Sequence, residues 1–266
     1  MSIPIYQVAA FAEKAFEGNP AAVCILQQPA DEVWMQSVAR EMNLSETAFV
    51  VHRDDGDFDL RWFTPVIEVP LCGHATLAAA HILYETGLLQ PNRMARFHTL
   101  SSMLQAKRMD GLIELDFPAI PLQDCDVPPG LLNALGLQSI QHIMQAGFRF
   151  LMEVDSAKAV QNLTPDFAAL RQCIGEQRVI VTAGSDQANI DIISRYFAPG
   201  VGVDEDPVTG SAHCALAPYW VAKLGKMNLS AYQASARGGY LRCAVIGDRV
   251  KLAGKAITVL RGELKI

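Results

Sequence analysis

The chain has 266 residues, of which half are apolar and 19% charged, with a net charge of −6 and a pI near 5.5. That composition supports a sizeable core in one large or two medium domains. It offers no basic excess to neutralise phosphates, which argues against nucleic acid as a partner, and its longest apolar runs are too short to span a bilayer, which argues against a membrane role.

In chain order, residues 3–11 alternate loosely and predict a first strand. Gly18-Asn19-Pro20 is a turn, and 21–26 a second strand. Asp31 caps a helix reaching Met42. The segment 46–52, ETAFVVH, is a strand with an acid at its mouth, and 57–63 pairs with it across an Asp-Gly turn. A Gly-led helix follows Cys72, then strands near 95–97, 103–108 and 112–117. Pro118, Pro121, Pro128 and Pro129 crowd one short span and mark a linker. This divides the chain into an N-terminal half, 1–118, to which a last strand near 256–266 returns, and a C-terminal half, 119–255. In the second half, 131–136, 156–162 and 165–173 are helical, with Thr164-Pro165 read as a cap and first position. Residues 140–146, 150–154, 179–183 and 190–197 are strands. A second Gly-led helix starts near Gly210, with Pro218 expected to kink it or delay its first turn. Strands near 241–246, 250–253 and 256–260 complete the pattern. Residues 1–11 lack a basic start and a cleavage site, so no secretory leader is expected.

The chain echoes itself. Arg61-Trp62-Phe63-Thr64-Pro65 and Arg195-Tyr196-Phe197-Ala198-Pro199 open two similar stretches, about half the chain apart. Each continues through a loop to a Gly, Gly73 or Gly210, and an Ala-rich apolar run. Two copies suggest two similar domains facing each other rather than a solenoid. An apolar run of this kind is a helix buried on every side. Its first N–H groups and its dipole attract anions. The expected arrangement is two central helices, each wrapped by its own sheet, with both N-termini aimed at a shared ligand cleft. An ancestral duplication with no shared ligand site remains an alternative.

Several residues could carry chemistry. Glu46 precedes a strongly apolar strand, and partial burial suits a group that takes and gives protons; a solvated acid at a strand end is the alternative. Cys72-Gly73-His74 sits at the first helix start. A thiol there can be activated as base or nucleophile, and His74 can relay a proton or serve as a structural group. Asp204-Glu205-Asp206 either caps the second helix or frames a site. Thr209-Gly210-Ser211 offers hydroxyls and free N–H groups for a carboxylate or enolate. Aligning Gly73 with Gly210 sets Thr209 opposite Cys72, so a two-thiol racemase lacks its second thiol. The Walker and dinucleotide fingerprints are absent. None of the six cysteines forms a CxxC pair and no HExxH occurs, so no metal site is expected. Reduced thiols fit a cytoplasmic protein.

Taken together, these motifs resemble the PhzF-like phenazine-biosynthesis family: Gly18-Asn19-Pro20-Ala21-Ala22-Val23, Ser45-Glu46-Thr47-Ala48-Phe49, Phe63-Thr64-Pro65 with Glu68, Leu71-Cys72-Gly73-His74-Ala75-Thr76, Asp206-Pro207-Val208-Thr209-Gly210-Ser211-Ala212, and Arg237-Gly238-Gly239. They span almost the whole chain, although 119–190 carries none. The resemblance implies a diaminopimelate epimerase-like α+β fold of two pseudo-symmetric halves, each a curled, mostly antiparallel sheet or barrel around a central helix. It implies a cytoplasmic homodimer with no cofactor, acting on a small carboxylate-bearing molecule as an isomerase. It casts Glu46 as the proton shuttle with His74 and Asp206, and Asn19, Cys72, Gly73, Thr209, Gly210 and Ser211 as substrate-binding positions. Two alternatives stay open: a racemase or epimerase dependent on Cys72, and a small-molecule-binding protein without turnover.

Overall fold

The computed structural model describes residues 2–265. Their contacts divide the chain into two units, Met1–Asp116 with Ala253–Ile266, and Phe117–Leu252. No helix among the described residues is long and apolar enough to cross a membrane.

The first unit contains β1 (Ser2–Ala10), β2 (Asn19–Leu26), α1 (Glu32–Met42), β3 (Glu46–His52), β4 (Phe58–Phe63), β5 (Glu68–Val69), α2 (Gly73–Glu85), β6 (Ala95–His98), β7 (Met103–Met109) and β8 (Leu112–Pro118). β1 and β2 are antiparallel, β2 and β3 parallel, β3 and β4 antiparallel. β5 lies antiparallel to β4, β6 runs parallel to it, and β6, β7 and β8 continue as antiparallel neighbours. Parallel neighbours need a crossover, and helices supply both: α1 between β2 and β3, α2 between β4 and β6.

Helix α2 is central because its sequence allows no other place. His74 to Ala80 and Ile82 to Tyr84 are all buried, so the helix has no polar face to show water. It packs on β1, β2 and β3. Helix α1 is amphipathic and packs on β3 and β4. Its Met35, Val38 and Ala39 join Phe49 and Phe63 in a separate core cluster. Asp31 caps it by accepting the N–H groups of Val33 and Trp34 at 2.9 and 3.2 Å, and Asn43 ends it in the left-handed region. The turn into β2 depends on Gly18. Its φ is +67°, and a Cβ there would meet the Ala10 carbonyl oxygen at 2.2 Å.

The second unit contains β9 (Gln123–Asp124), α3 (Leu131–Leu135), β10 (His142–Ala146), β11 (Arg149–Glu153), α4 (Ala157–Gln161), α5 (Phe167–Ile174), β12 (Arg178–Gly184), β13 (Ile192–Ala198), β14 (Val203–Glu205), α6 (Gly210–Leu224), β15 (Asn228–Gln233), β16 (Gly239–Ile246) and β17 (Arg249–Gly254). Its pairings repeat those of the first unit. β10 and β11 are antiparallel, β11 and β12 parallel, and β12 and β13 antiparallel. β14 lies antiparallel to β13, β15 parallel to it, and β16 antiparallel to β15. Helices α3, α4 and α5 pack through Leu131, Leu135, Val160 and Leu170 in a cluster with strand residues such as Val179, Val181 and Phe197. Helix α6 packs on β15 and β16. Finally β18 (Ala256–Lys265) returns to the first unit, antiparallel to β1.

The architecture is thus α+β, with two pseudo-symmetric, diaminopimelate epimerase-like halves. Three local expectations change. Pro218 lies inside α6, which begins at Gly210 without delay. Helix α5 is capped by Asp166, whose side chain accepts the Ala169 N–H at 3.0 Å, and not by Thr164. Strand β15 escapes a reading by apolar pattern because its buried positions, Leu229, Ala231 and Gln233, include a glutamine.

Candidate functional site

In the first unit, Glu46 opens β3, opposite Ala21 of β2, and His74 is the second residue of α2. Glu46 Oε2 lies 3.0 Å from His74 Nε2, with the His74 side chain 7% and the Glu46 side chain 18% exposed. Neither atom has another hydrogen-bond partner. On the other side of the ring, Asn19 Nδ2 is 3.2 Å from His74 Nδ1, and Ser45 Oγ donates to Asn19 Oδ1 at 3.1 Å. Nε2 thus faces Glu46, while the tautomer of the ring sets the donor and acceptor roles of Nδ1 and the Asn19 amide. Burial opposes a charge on His74, but Cys72 and Glu46 together raise its pKa well above 6.5. The raised value favours a proton on His74 opposite the Glu46 carboxylate, across the 3.0 Å contact.

Cys72 caps this helix from an extended backbone, with Sγ 3.6 Å from His74 Nδ1. Its environment opposes activation. Burial first, and the nearby Glu46 charge second, raise the thiol's pKa, so it stays neutral despite the helix start. Asn19 is wholly buried and its side chain serves His74 and Ser45. Among the described residues the backbone N–H groups of Gly73 and His74 have no hydrogen-bond partner. Cys72, His74 and Glu46 also offer one ligand atom each within 4.8 Å of one another. That donor set could hold a zinc-like cation, at the expense of the Asn19 or Glu46 bond, since each ring nitrogen already has a neighbour.

In the second unit, Asp206, Thr209, Gly210 and Ser211 gather at the start of α6. The Thr209 hydroxyl donates to Asp206 Oδ2 at 2.5 Å, and its N–H donates to Gln233 Oε1 at 2.8 Å. Gln233, fully buried, donates in turn to the Asp206 carbonyl at 2.7 Å. Ser211 Oγ accepts from Arg149 Nη2 at 3.0 Å. Of the three acids, Glu205 neither caps the helix nor faces water; it grips Arg195 bidentately at 2.7 and 2.8 Å. Glu68 does the same to Arg61 in the first unit, at 2.6 Å for both bonds. Each arginine also lies over its neighbouring ring, Phe63 or Phe197. The repeated Arg-aromatic-Phe motif is thus a clamp on the loop that delivers each helix start.

Gln233, Arg149 and, beside Arg149 in the parallel pairing of β11 with β12, Arg178 belong to this region without a signal in the motifs, while Ser45 is present only as part of one. The repeat did hold a signal for one of them. Phe63 pairs with Thr47, and Phe197 pairs with Val179, so Arg178 stands where Glu46 stands. An apolar groove in the second unit, lined by Ile120, Pro121, Met144, Pro218 and Tyr219, includes none of the candidate residues.

The family described as phenazine biosynthesis-like protein, PhzC-PhzF, matches residues 8–262. An uncharacterized isomerase of Halalkalibacterium halodurans is 51% identical, with 99% of each chain covered. A crystal structure of a PhzF-family phenazine biosynthesis protein from Enterococcus faecalis superposes with a TM-score of 0.94 at 42% identity, covering all of both chains. A structure described as a predicted epimerase from Pseudomonas aeruginosa shares the fold at a TM-score of 0.76 and 22% identity, over 99% of each chain.

Proposed function

The chain belongs to the phenazine biosynthesis-like PhzC-PhzF family, and from that premise we propose that it is a cofactor-independent isomerase moving a proton on a small carboxylate-bearing substrate. The observation that carries this reading is the Glu46–His74 pair, 3.0 Å apart and largely buried at the start of α2. The relative from Halalkalibacterium halodurans carries the name isomerase, which agrees with it.

In this mechanism the Glu46 carboxylate takes a proton from a substrate carbon and returns it to another. His74 faces the carboxylate with Nε2–H, orients it, and balances its charge while the proton is away. Asn19 positions His74 by holding Nδ1, so its role is indirect. The N–H groups of Gly73 and His74 can receive the charge that develops on the substrate, because unpaired donors at a helix start are already oriented. Cys72 packs beside the pair as a neutral thiol. In the second unit, Asp206, Thr209, Gly210 and Ser211 are assigned substrate-contacting roles. A cysteine-dependent racemase is disfavoured by the raised thiol of Cys72 and by Thr209 at the position that repeats it. We also propose that the protein is a homodimer, which sedimentation would test.

The test is a screen of small carboxylates for deuterium uptake at carbon in D2O, followed by Glu46→Gln on any substrate found. General acid/base groups contribute roughly 10²–10⁴-fold, and a loss of that size in exchange rate is expected. Exchange at the unmutated rate would sink the assignment of Glu46.

A further inference from the structure

Arg149 is 7% exposed, yet among the described residues it pairs with no carboxylate. Its Nη2 donates to Ser211 Oγ at 3.0 Å, it bonds the Tyr196 side chain, and its Nε is buried with no partner. Its guanidinium lies 3.9 Å from the Phe148 ring centroid, and that of Arg178 lies 4.4 Å from the same centroid. Among the described residues Arg178, too, has no carboxylate partner; it donates to the Glu176 carbonyl. Two guanidinium groups on one ring, without an anion between them, is an uncompensated arrangement, since a buried charge ordinarily finds a counter-charge. Ser211 is the second residue of α6, and the N–H groups of Gly210 and Ser211 have no hydrogen-bond partner among the described residues. The hydroxyl of Ser211 accepts from Arg149 and so has its own proton left to donate.

We propose that Arg149, with Ser211 and the first N–H groups of α6, binds the carboxylate of an acidic ligand, with Arg178 supplying a second positive charge. A carboxylate suits the donors better than a tetrahedral anion. They comprise a planar guanidinium with part of its fork already committed, and a pair of adjacent backbone N–H groups. The assignment names the group by which the second unit holds an acidic substrate, and to that extent it rests on the isomerase reading; the binding itself does not need Glu46.

The experiment titrates full-length protein with malonate, and separately with inorganic phosphate, at constant ionic strength set by chloride, following thermal stability and calorimetric binding. Malonate is expected to bind and to raise the melting temperature. Arg149→Met is expected to weaken it by about tenfold or more, Arg149→Lys by less, and Ser211→Ala by a few-fold. Should Arg149→Met not fold, the Lys and Ala variants decide. Glu46→Gln is expected to bind malonate as the parent does, so a failed proton-transfer assignment leaves this one standing. Malonate binding unchanged in Arg149→Lys and Ser211→Ala, tighter binding of phosphate than of malonate, or no binding of either anion would overturn the proposal.

Discussion

The two helix starts share a backbone and differ in charge. Each follows an Arg–Glu clamp and a short strand, and the first N–H groups of each have no hydrogen-bond partner among the described residues. In the first unit the strand residue beside the helix is Glu46, engaged with an imidazole. At the matching register in the second unit stands Arg178, which shares the Phe148 ring with Arg149. The scaffold supplies oriented donors twice, and the side chains around them differ in charge. One end carries a group that can move a proton; the other carries fixed positive charge that cannot, since a guanidinium does not titrate in this range.

The sharpest way to break this comparison is to neutralise the two matching positions in turn. Glu46→Gln is expected to lower proton exchange by roughly 10²–10⁴-fold. Arg178→Gln is expected to lower it by about tenfold or less at saturating substrate, with its larger effect on apparent affinity. Equal losses in kcat from both variants would show that the two ends do not divide the work as described.

The next effect comes from a pair of residues one turn into each helix. Thr76 Oγ1 donates to the Cys72 carbonyl at 2.5 Å, and His213 Nδ1–H donates to the Thr209 carbonyl at 2.9 Å. The bonds match, but only one of the donors titrates. Burial pushes the His213 pKa down from 6.5 to about 4. Between those values the unfolded chain binds the proton that the folded one refuses. Stability is therefore intact above pH 6.5 and falls as pH drops through 4, by roughly 3 kcal/mol. Urea denaturation across that range should show the slope. His213→Thr, which borrows the first unit's residue, should lose stability at pH 7 and yet have a flatter profile below 6.5. A parent profile that is flat between pH 6.5 and 4 would refute the assignment of the burden to His213.

Much of this was legible in the sequence because it rests on short-range pattern. The all-apolar run after Gly73 allowed only a central helix, and the Arg-aromatic-Phe echo gave the two-unit plan. Glu46, His74 and Asp206 stood out through motifs. Arg149 did not, because its significance lies in an absence: among the described residues it pairs with no carboxylate, and absence of a partner has no local signature. Arg178 was within reach once strand register, rather than the Gly anchors alone, fixed the alignment. Gln233 acts from a strand whose alternation includes that same buried amide. The state of Cys72 was not legible because helix-start position lowers a thiol's pKa while burial and a carboxylate raise it, and only coordinates reveal which prevails.

A smaller effect is expected at Asn19. In the first unit a neutral amide holds the second residue of the helix, His74, at 3.2 Å; in the second unit a charged guanidinium holds Ser211 at 3.0 Å. Asn19→Ala leaves Nδ1 of a buried imidazole without its hydrogen bond, a cost of about 1–3 kcal/mol in stability. A positioning residue should lower kcat by about tenfold while shifting the pH dependence of kcat, because the ring nitrogen that faced Asn19 has lost its partner. A residue that only supports the fold would lower stability and leave the pH profile in place.

The smallest effect separates the paired thiol position from its hydroxyl counterpart. Cys72 and Thr209 occupy the same place before the two helices, and neither side chain caps its helix. If Cys72 is a packed neutral thiol, replacing it by the second unit's threonine should change exchange by only a few-fold, and iodoacetamide at pH 7 should react slowly with the native protein, because the thiolate is the reactive form and burial suppresses it. Rapid alkylation at Cys72 with parallel loss of exchange would mean that the thiol is ionised in the working enzyme. The first unit would then carry two titrating groups beside His74, and Glu46 could no longer be assigned the proton transfer on its own.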